Sequence, residues 1–97
     1  MPGKLEFSFN SNRLDDFVLD KEIMTIGPKD DNDIRIDNLA VSGHHAKLLT
    51  IFDNSFLEDL DSTNGAYVYG RQITNLPLKN GDVIEMNKLK IEYYPAL

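Results

Sequence analysis

The sequence predicts an all-β sandwich of about ten to eleven short, mainly antiparallel strands. Apolar and polar residues alternate along most of the chain with the period of a half-buried strand, and no stretch shows a convincing helical period. Clusters of Gly, Asn, Asp, Ser and Pro interrupt this alternation at close intervals, as the turns of a sandwich do. The 97 residues contain no linker, repeat or low-complexity stretch, which predicts a single domain over residues 1–97.

In the N-terminal half the first strand is the clearest. Leu5, Phe7 and Phe9 alternate with polar residues, and an Asn-Ser-Asn cluster then ends the strand. Two later loops, residues 28–33 and 38–43, flank a short apolar–charged–apolar strand. The strands expected in this half cover residues 5–9, 17–19, 23–26, 34–36 and 46–52.

In the C-terminal half the last hairpin allows a check of register. A two-residue turn at residues 87–88 sets Met86 opposite Leu89 and Ile84 opposite Ile91, so that both apolar pairs share one face. The other turns expected here are residues 53–55 and 70–71, and the strands are residues 56–60, 66–69, 72–73, 84–86 and 89–93.

Composition excludes several classes of function. The chain has no cysteine, which excludes disulfides, a thiolate nucleophile and a zinc–thiolate site. Its net charge is −6 and its ten basic residues are scattered singly, which argues against nucleic-acid binding. We expect no leader peptide, and no apolar run approaches the roughly 18 residues that a membrane span needs. A soluble, cytoplasmic protein without a membrane span is therefore expected.

Two polar segments stand out against the strand pattern. Residues 62–65 read Ser-Thr-Asn-Gly, where Asn-Gly favours a tight turn and the two preceding hydroxyls exceed what a turn requires. About twenty residues upstream, residues 41–46 read Val-Ser-Gly-His-His-Ala. Considered alone, the first segment is best explained as a hairpin connection. The pair together indicates a polar surface that holds a ligand.

The chain resembles the forkhead-associated (FHA) domain, a phosphothreonine-peptide-binding β-sandwich of the SMAD/FHA type. That family carries a Gly-Arg, a Ser-x-x-His, an Asp-x-x-Ser-Thr-Asn-Gly and a Gly-Asp, in this order. The matching pieces, between about Ile23 and Tyr93, are Ile26-Gly27, Asn32-Asp33-Ile34, Ser42-Gly43-His44-His45-Ala46, Asp59-Leu60-Asp61-Ser62-Thr63-Asn64-Gly65 and Leu78-Lys79-Asn80-Gly81-Asp82-Val83-Ile84.

The resemblance implies that three loops meet at one end of the sandwich, around residues 27–33, 38–44 and 61–65. Ser42 would donate its hydroxyl to a phosphate oxygen, assisted by the hydroxyl of Thr63 or by neighbouring amides. Asn64 would bond the peptide backbone beside the phosphothreonine, and Gly43 would lie in the same pocket.

Three further residues have structural roles in the implied site. His45 resembles the family histidine that braces the loops from inside the fold. Gly27 and Gly65 would supply backbone geometry that other residues adopt poorly.

The phosphate chemistry departs from the family pattern. Pro28 stands where the family has the phosphate-binding arginine, and Gly43 stands where many members have a basic or polar residue. Lys29 is the candidate replacement, as a point charge without the planar guanidinium, whereas Arg35 is a weaker candidate because it lies on a strand. Residues 30–33 are expected to form a solvated acidic loop that repels phosphate.

Other chemistry is less well supported by the sequence. His44 and His45 would point to opposite faces of a strand, so no metal site is expected. Residues 30–33 lack the glycine and glutamate of a calcium loop. A Ser42–His45–Asp59 triad has no nucleophile turn or oxyanion site, so neither an enzyme nor a cofactor is expected.

Two functions therefore remain open. The chain is either an FHA-type interaction module that recognises phosphothreonine peptides with weakened anion contacts, or a phospho-independent assembly module on the same fold. The expected partner is a protein or a phosphothreonine-containing peptide. The sequence makes no prediction of oligomeric state.

Overall fold

The computed structural model describes residues 2–36 and 45–96, and these form eleven strands and no helix. The all-β prediction is therefore confirmed. The strands are β1 (Lys4–Phe9), β2 (Asn12–Val18), β3 (Ile23–Gly27), β4 (Ile34–Arg35), β5 (Ala46–Ile51), β6 (Asn54–Asp59), β7 (Ala66–Val68), β8 (Arg71–Ile73), β9 (Asn75–Pro77), β10 (Val83–Met86) and β11 (Leu89–Tyr94).

The strands form two sheets. The six-stranded sheet has the order β2-β1-β11-β10-β7-β8, and the five-stranded sheet has the order β4-β3-β5-β6-β9. Strands β3 and β4 pair in parallel, and the other pairings between described strands are antiparallel. Among the described residues there is no helix long and apolar enough to cross a membrane.

The core lies between the two sheets and follows the alternation read from the sequence. Leu5 and Phe7 of the six-stranded sheet and Leu48 and Leu57 of the five-stranded sheet are at most 1% exposed. Phe7 also makes an edge-to-face contact with Phe17, with ring centroids 5.1 Å apart. Burial of this kind contributes roughly 1.5–3 kcal/mol for each large apolar side chain.

The C-terminal hairpin has the register expected from the sequence. Met86 pairs with Leu89 and Ile84 pairs with Ile91, and all four side chains are buried. Asn87 takes a φ of 60° in the turn, which asparagine tolerates better than most residues. The prediction for this hairpin is confirmed.

Two predicted turns were wrong by one or two residues. Ile51 pairs with Asn54, so the turn consists of Phe52 and Asp53, and Ser55 lies in β6 as a buried residue. The turn predicted at residues 70–71 begins one residue earlier, at Tyr69, since Arg71 already belongs to β8. Polar composition located both turns but did not fix the strand register.

The sequence prediction shortened strand β2 and missed strand β9, and both strands lie at sheet edges. Strand β2 begins at Asn12 and is largely exposed, and its charged residues obscure the alternation. Strand β9 is three residues long and contains Pro77. Charge, short length and proline are the features with which edge strands avoid further pairing, and they weaken the sequence signal of a strand.

Candidate functional site

The β3–β4 and β6–β7 loops leave the sandwich at the same end, which we call the apex. The backbone N–H of His45 donates to the Ile26 carbonyl at 2.9 Å, and the Leu60 N–H donates to the His45 carbonyl at 2.9 Å. The end of β3, the start of β5 and the end of β6 are thereby joined. Gly27 is buried at this junction, and its carbonyl accepts a bond from the Ile36 N–H at 2.9 Å.

Four residues, His45, Asp59, Ser62 and Gly65, form what we call the apex network. Asp59 accepts the Ser62 backbone N–H at 3.1 Å and the Ser62 hydroxyl at 2.6 Å. The same hydroxyl accepts the backbone N–H of Gly65 at 3.0 Å. The Ser62 hydroxyl therefore bridges the Asp59 carboxylate and the Gly65 backbone amide, and these bonds fix the shape of the β6–β7 loop.

His45 supplies the inner support of this loop. Its side chain is fully buried, and its Nε2 lies 2.9 Å from the Gly65 carbonyl oxygen and 3.8 Å from an Asp59 carboxylate oxygen. Gly65 is buried with a φ of 79°, and a Cβ there would lie 2.8 Å from Nε2 of Gln72. A side chain at position 65 would therefore be both strained and crowded.

Thr63 and Asn64 lie at the tip of the loop that this network supports. Both residues are exposed. Asn64 also lines an open depression of about 370 Å³ that continues past Tyr67 and Glu85, which pair across β7 and β10. Thr63 and Asn64 are thus held on a braced loop beside a shallow, mixed-polarity surface.

The β3–β4 loop carries the candidate cations. Lys29 is exposed, and its carbonyl accepts the backbone N–H and the Nδ2 of Asn32 at 3.1 and 3.0 Å. Arg35 folds back over the loop, where its Nε donates to the Pro28 carbonyl at 3.1 Å and lies 3.0 Å from Asp30. Arg35 therefore places a guanidinium beside the position at which the family has its arginine.

Two carboxylates of the acidic loop have partners in the structure. Asp33 accepts bonds from the backbone N–H and the hydroxyl of Thr25 at 3.0 and 3.2 Å, and from Lys21 at 2.9 Å. Lys21 and the Thr25 N–H hold the pKa of the Asp33 carboxyl below its usual value. Asp33 thus anchors the base of the loop, and Asp30 forms an exposed ion pair with Arg35.

The remaining site predictions cannot be placed in the same way. Ser42 and Gly43, predicted to contact phosphate, lie outside the described residues, as does His44. Ile36 and His45, the described residues on either side of that stretch, both bond to the end of β3. Within residues 2–36 and 45–96, no three His, Cys, Asp or Glu side chains are grouped as a metal site would require.

Comparison with known proteins gives consistent matches. The FHA domain model matches residues 24–87. The oxoglutarate dehydrogenase inhibitor of Corynebacterium jeikeium is 34% identical over 77 residues, which cover 79% of this chain and 54% of that protein. The glycogen accumulation regulator GarA of Mycobacterium tuberculosis is 33% identical over 78 residues, covering 79% and 48%. The chain thus spans about half the length of these relatives.

A solved structure covers the whole chain. It comes from a structural and functional study of phosphothreonine-dependent FHA domain interactions, and it superposes with a TM-score of 0.90 at 25% identity. The match covers 100% of this chain and 99% of that one.

Proposed function

The chain belongs to the FHA domain family, and we propose that its apex binds phosphothreonine-containing segments of a partner protein with weakened anion contacts. The observation that supports this most directly is the apex network, which holds the Thr63–Asn64 tip on a buried base. A loop fixed before binding loses little conformational entropy when the ligand arrives. Binding is the proposed activity, and catalysis is not part of it.

Each side chain has a defined part in this proposal. The Thr63 hydroxyl donates to a phosphate oxygen, and the Asn64 amide bonds the peptide backbone next to the phosphothreonine. Ser42 adds a second hydroxyl from the neighbouring loop, with Gly43 beside it. His45, Gly27 and Gly65 support the loops and do not touch the ligand.

The anion contact is carried by Lys29 and Arg35 in place of an arginine at position 28. Lys29 is exposed on the β3–β4 loop, and 56% of the Arg35 side chain is exposed. A hydrogen bond to a charged group contributes roughly 1.5–3 kcal/mol, so losing one such bond weakens binding about ten- to hundredfold. Affinity for phosphopeptide is accordingly moderate, and selectivity for phosphate is softer than a bidentate guanidinium provides.

The test is a titration of the domain with a degenerate phosphothreonine peptide pool and with its unphosphorylated twin, followed by backbone amide shifts. Saturable shifts at Thr63, Asn64 and Ser42 with only the phosphorylated pool are expected. Lys29→Gln and Arg35→Gln variants report which cation meets the phosphate. The matched control is Lys79→Gln, because Lys79 is exposed before β10, at the end of the sandwich opposite the apex. Equal shifts with both pools, or shifts confined to other surfaces, would refute the proposal.

The second candidate is a phospho-independent assembly module on the same fold. Pro28 favours it, because the residue at this position cannot form an ionic bond to phosphate. In that case both peptide pools fail to bind at the apex. We place either activity in the cytoplasm, a reducing compartment in which a chain without cysteine loses no stabilising disulfide.

A further inference from the structure

The outer face of the five-stranded sheet carries an apolar row that crosses four strands. Ile23 pairs with Leu49, Leu49 with Phe56, and Phe56 with Pro77, so the four side chains are direct neighbours. Ile23 is 49% exposed and Pro77 is also exposed, whereas Leu49 and Phe56 between them are half-buried. Ile51, which is 44% exposed, lies on the same face two residues from Leu49.

This row is unusual for a sheet with one face in the core. The outer face of such a sheet normally carries polar residues, because the inner face already supplies the buried apolar surface. Single exposed apolar residues are common, whereas a contiguous exposed patch marks an interaction surface. The four strands come from distant parts of the sequence, so the row is a property of the assembled sheet.

A polar row lies beside the apolar one. Thr25 pairs with Lys47, Lys47 with Glu58, and Glu58 with Asn75. The Lys47 ammonium lies 3.0 Å from the Glu58 carboxylate, and these side chains are 37% and 40% exposed. Across the sheet the row therefore carries a neutral polar side chain, a positive charge, a negative charge and a second neutral polar side chain.

We propose that this face binds a second copy of the chain, with a two-fold axis that runs between β5 and β6 and parallel to them. That axis places Lys47 against Glu58 of the second copy, and Glu58 against Lys47 of the second copy. It also places Leu49 against Phe56 of the second copy, with Ile23 against Pro77 at the rim. The charge order of the polar row makes the face self-complementary, as an isologous interface requires.

The size of the face sets the strength of the dimer. Five strands about 4.8 Å apart, with about 3.4 Å per residue along them, give a face of roughly 20 by 17 Å. Two such faces bury on the order of 700 Å², well below the roughly 1,600 Å² of a standard stable interface. The dimer is therefore weak, with a dissociation constant in the micromolar range or above. The net charge of −6 per copy opposes it at low salt, and this repulsion is screened beyond about 8 Å at physiological salt.

The geometry leaves the apex accessible. The axis runs along the strands, so both copies present their apex loops at the same end of the dimer. Two ligand sites would then face one partner, and a partner with two recognition segments would gain avidity from the pair. Dimer formation itself does not depend on the proposed phosphopeptide function.

Sedimentation velocity from micromolar to millimolar protein at physiological salt is the first test. The unmodified chain should show concentration-dependent dimerisation, and Leu49→Asp should raise the dissociation constant at least tenfold. Val18→Asp is the matched control, since Val18 is 53% exposed on the edge strand β2 of the other sheet. A thermal melt of each variant shows that it is folded. A chain that stays monomeric at millimolar concentration, or a Leu49→Asp variant that dimerises unchanged, would overturn the proposal.

Charge reversal tests the axis itself. Lys47→Glu alone opposes two carboxylates across the interface, and Glu58→Lys alone opposes two ammonium groups, so each variant should be monomeric. A mixture of the two should form a heterodimer, because the new carboxylate at position 47 of one variant then meets the new ammonium at position 58 of the other. The double variant Lys47→Glu/Glu58→Lys should also recover the dimer. Failure of the mixture to associate would overturn the proposed axis, since a merely destabilised fold would not be rescued by mixing.

Discussion

The Nε2 atom of the buried His45 lies 2.9 Å from the carbonyl oxygen of Gly65, and this contact ties the two sheets together at the apex. His45 leads into β5 of the five-stranded sheet, and Gly65 leads into β7 of the six-stranded sheet. Because a carbonyl oxygen only accepts, Nε2 must carry the proton and donate it. The ring is therefore held in one orientation under the β6–β7 loop.

Replacing this ring should cost stability. His45→Ala removes a buried hydrogen bond and leaves a cavity, so we expect the free energy of unfolding to fall by about 2–4 kcal/mol. Urea unfolding followed by circular dichroism measures the change. Lys88→Ala, exposed in the last hairpin, is the control and should alter stability by less than about 0.5 kcal/mol. A His45→Ala variant as stable as the control would mean that the contact does not support the apex.

The Ser62 hydroxyl should be required for the shape of the β6–β7 loop. Ser62→Ala leaves Asp59 and the Gly65 N–H without the bonds that join them, and we expect a loss of about 1–2 kcal/mol. Hydrogen exchange at the Gly65 amide should accelerate at the same time. Thr74→Ala is the control, because Thr74 is exposed close to the same strands. Unchanged protection of the Gly65 amide would show that the hydroxyl relay is dispensable.

The sequence predicted contacts between residues that are close in sequence better than contacts between distant ones. The last hairpin was predictable because its two-residue turn sets the register locally. The bond from Arg35 to the Pro28 carbonyl was not, since strand alternation gives the face of a residue but not how a long side chain folds back. Motif resemblance indicated His45 and Gly65 together, although they are twenty residues apart.

Contacts between distant strands were the main features missed. The sequence placed Asp33 in a solvated acidic loop. Its partners Lys21 and Thr25 are twelve and eight residues away, so their contacts with Asp33 could not be inferred from neighbouring residues. The apolar row on the outer sheet face was also missed. Ile23, Leu49 and Phe56 each fit an ordinary strand pattern, and only the pairing of β3, β5 and β6 makes them neighbours.

Asp33 should make stability depend on acid pH. Its pKa is lowered in the fold from 3.8, so its ionised form stabilises the native state. This contribution is fully present above the unfolded pKa and is lost as pH falls through the lowered folded pKa. Asp33→Asn should therefore reduce the unfolding free energy at pH 7, by about 1–2 kcal/mol from the lost charged hydrogen bonds. The difference from the unmodified chain should shrink toward about pH 2.

Urea unfolding at a series of pH values checks this dependence. Asp15→Asn, on the exposed edge strand β2, is the control and should leave the acid limb of the stability curve unchanged. A difference between Asp33→Asn and the unmodified chain that stays constant across pH would contradict the role of the charge.

Replacing Phe52 with asparagine should make the fold more stable. It is 93% exposed and takes a φ of 56° in the β5–β6 turn, a conformation unfavourable for a bulky side chain. Asparagine tolerates this region, so Phe52→Asn should raise the free energy of unfolding by about 0.5–1 kcal/mol. Thermal unfolding measures the gain, with Asp53→Asn in the same turn as the control. A drop in stability would show that the ring packs on the fold in solution.

An arginine at position 28 should raise the affinity of the apex for phosphothreonine peptides. In Pro28→Arg the new guanidinium lies on the β3–β4 loop next to Lys29, and the Pro28 carbonyl that binds Arg35 is part of the backbone and is retained. A recovered charged contact contributes roughly 1.5–3 kcal/mol, so phosphothreonine-peptide affinity should rise about ten- to hundredfold. Calorimetric titration measures the affinity, and the gain should diminish as salt is raised. Pro28→Gln, which loses the same proline ring without adding charge, is the matched control and should show no gain. Equal affinity in the arginine and glutamine variants would mean that the rest of the anion pocket is absent, which favours the phospho-independent assembly module.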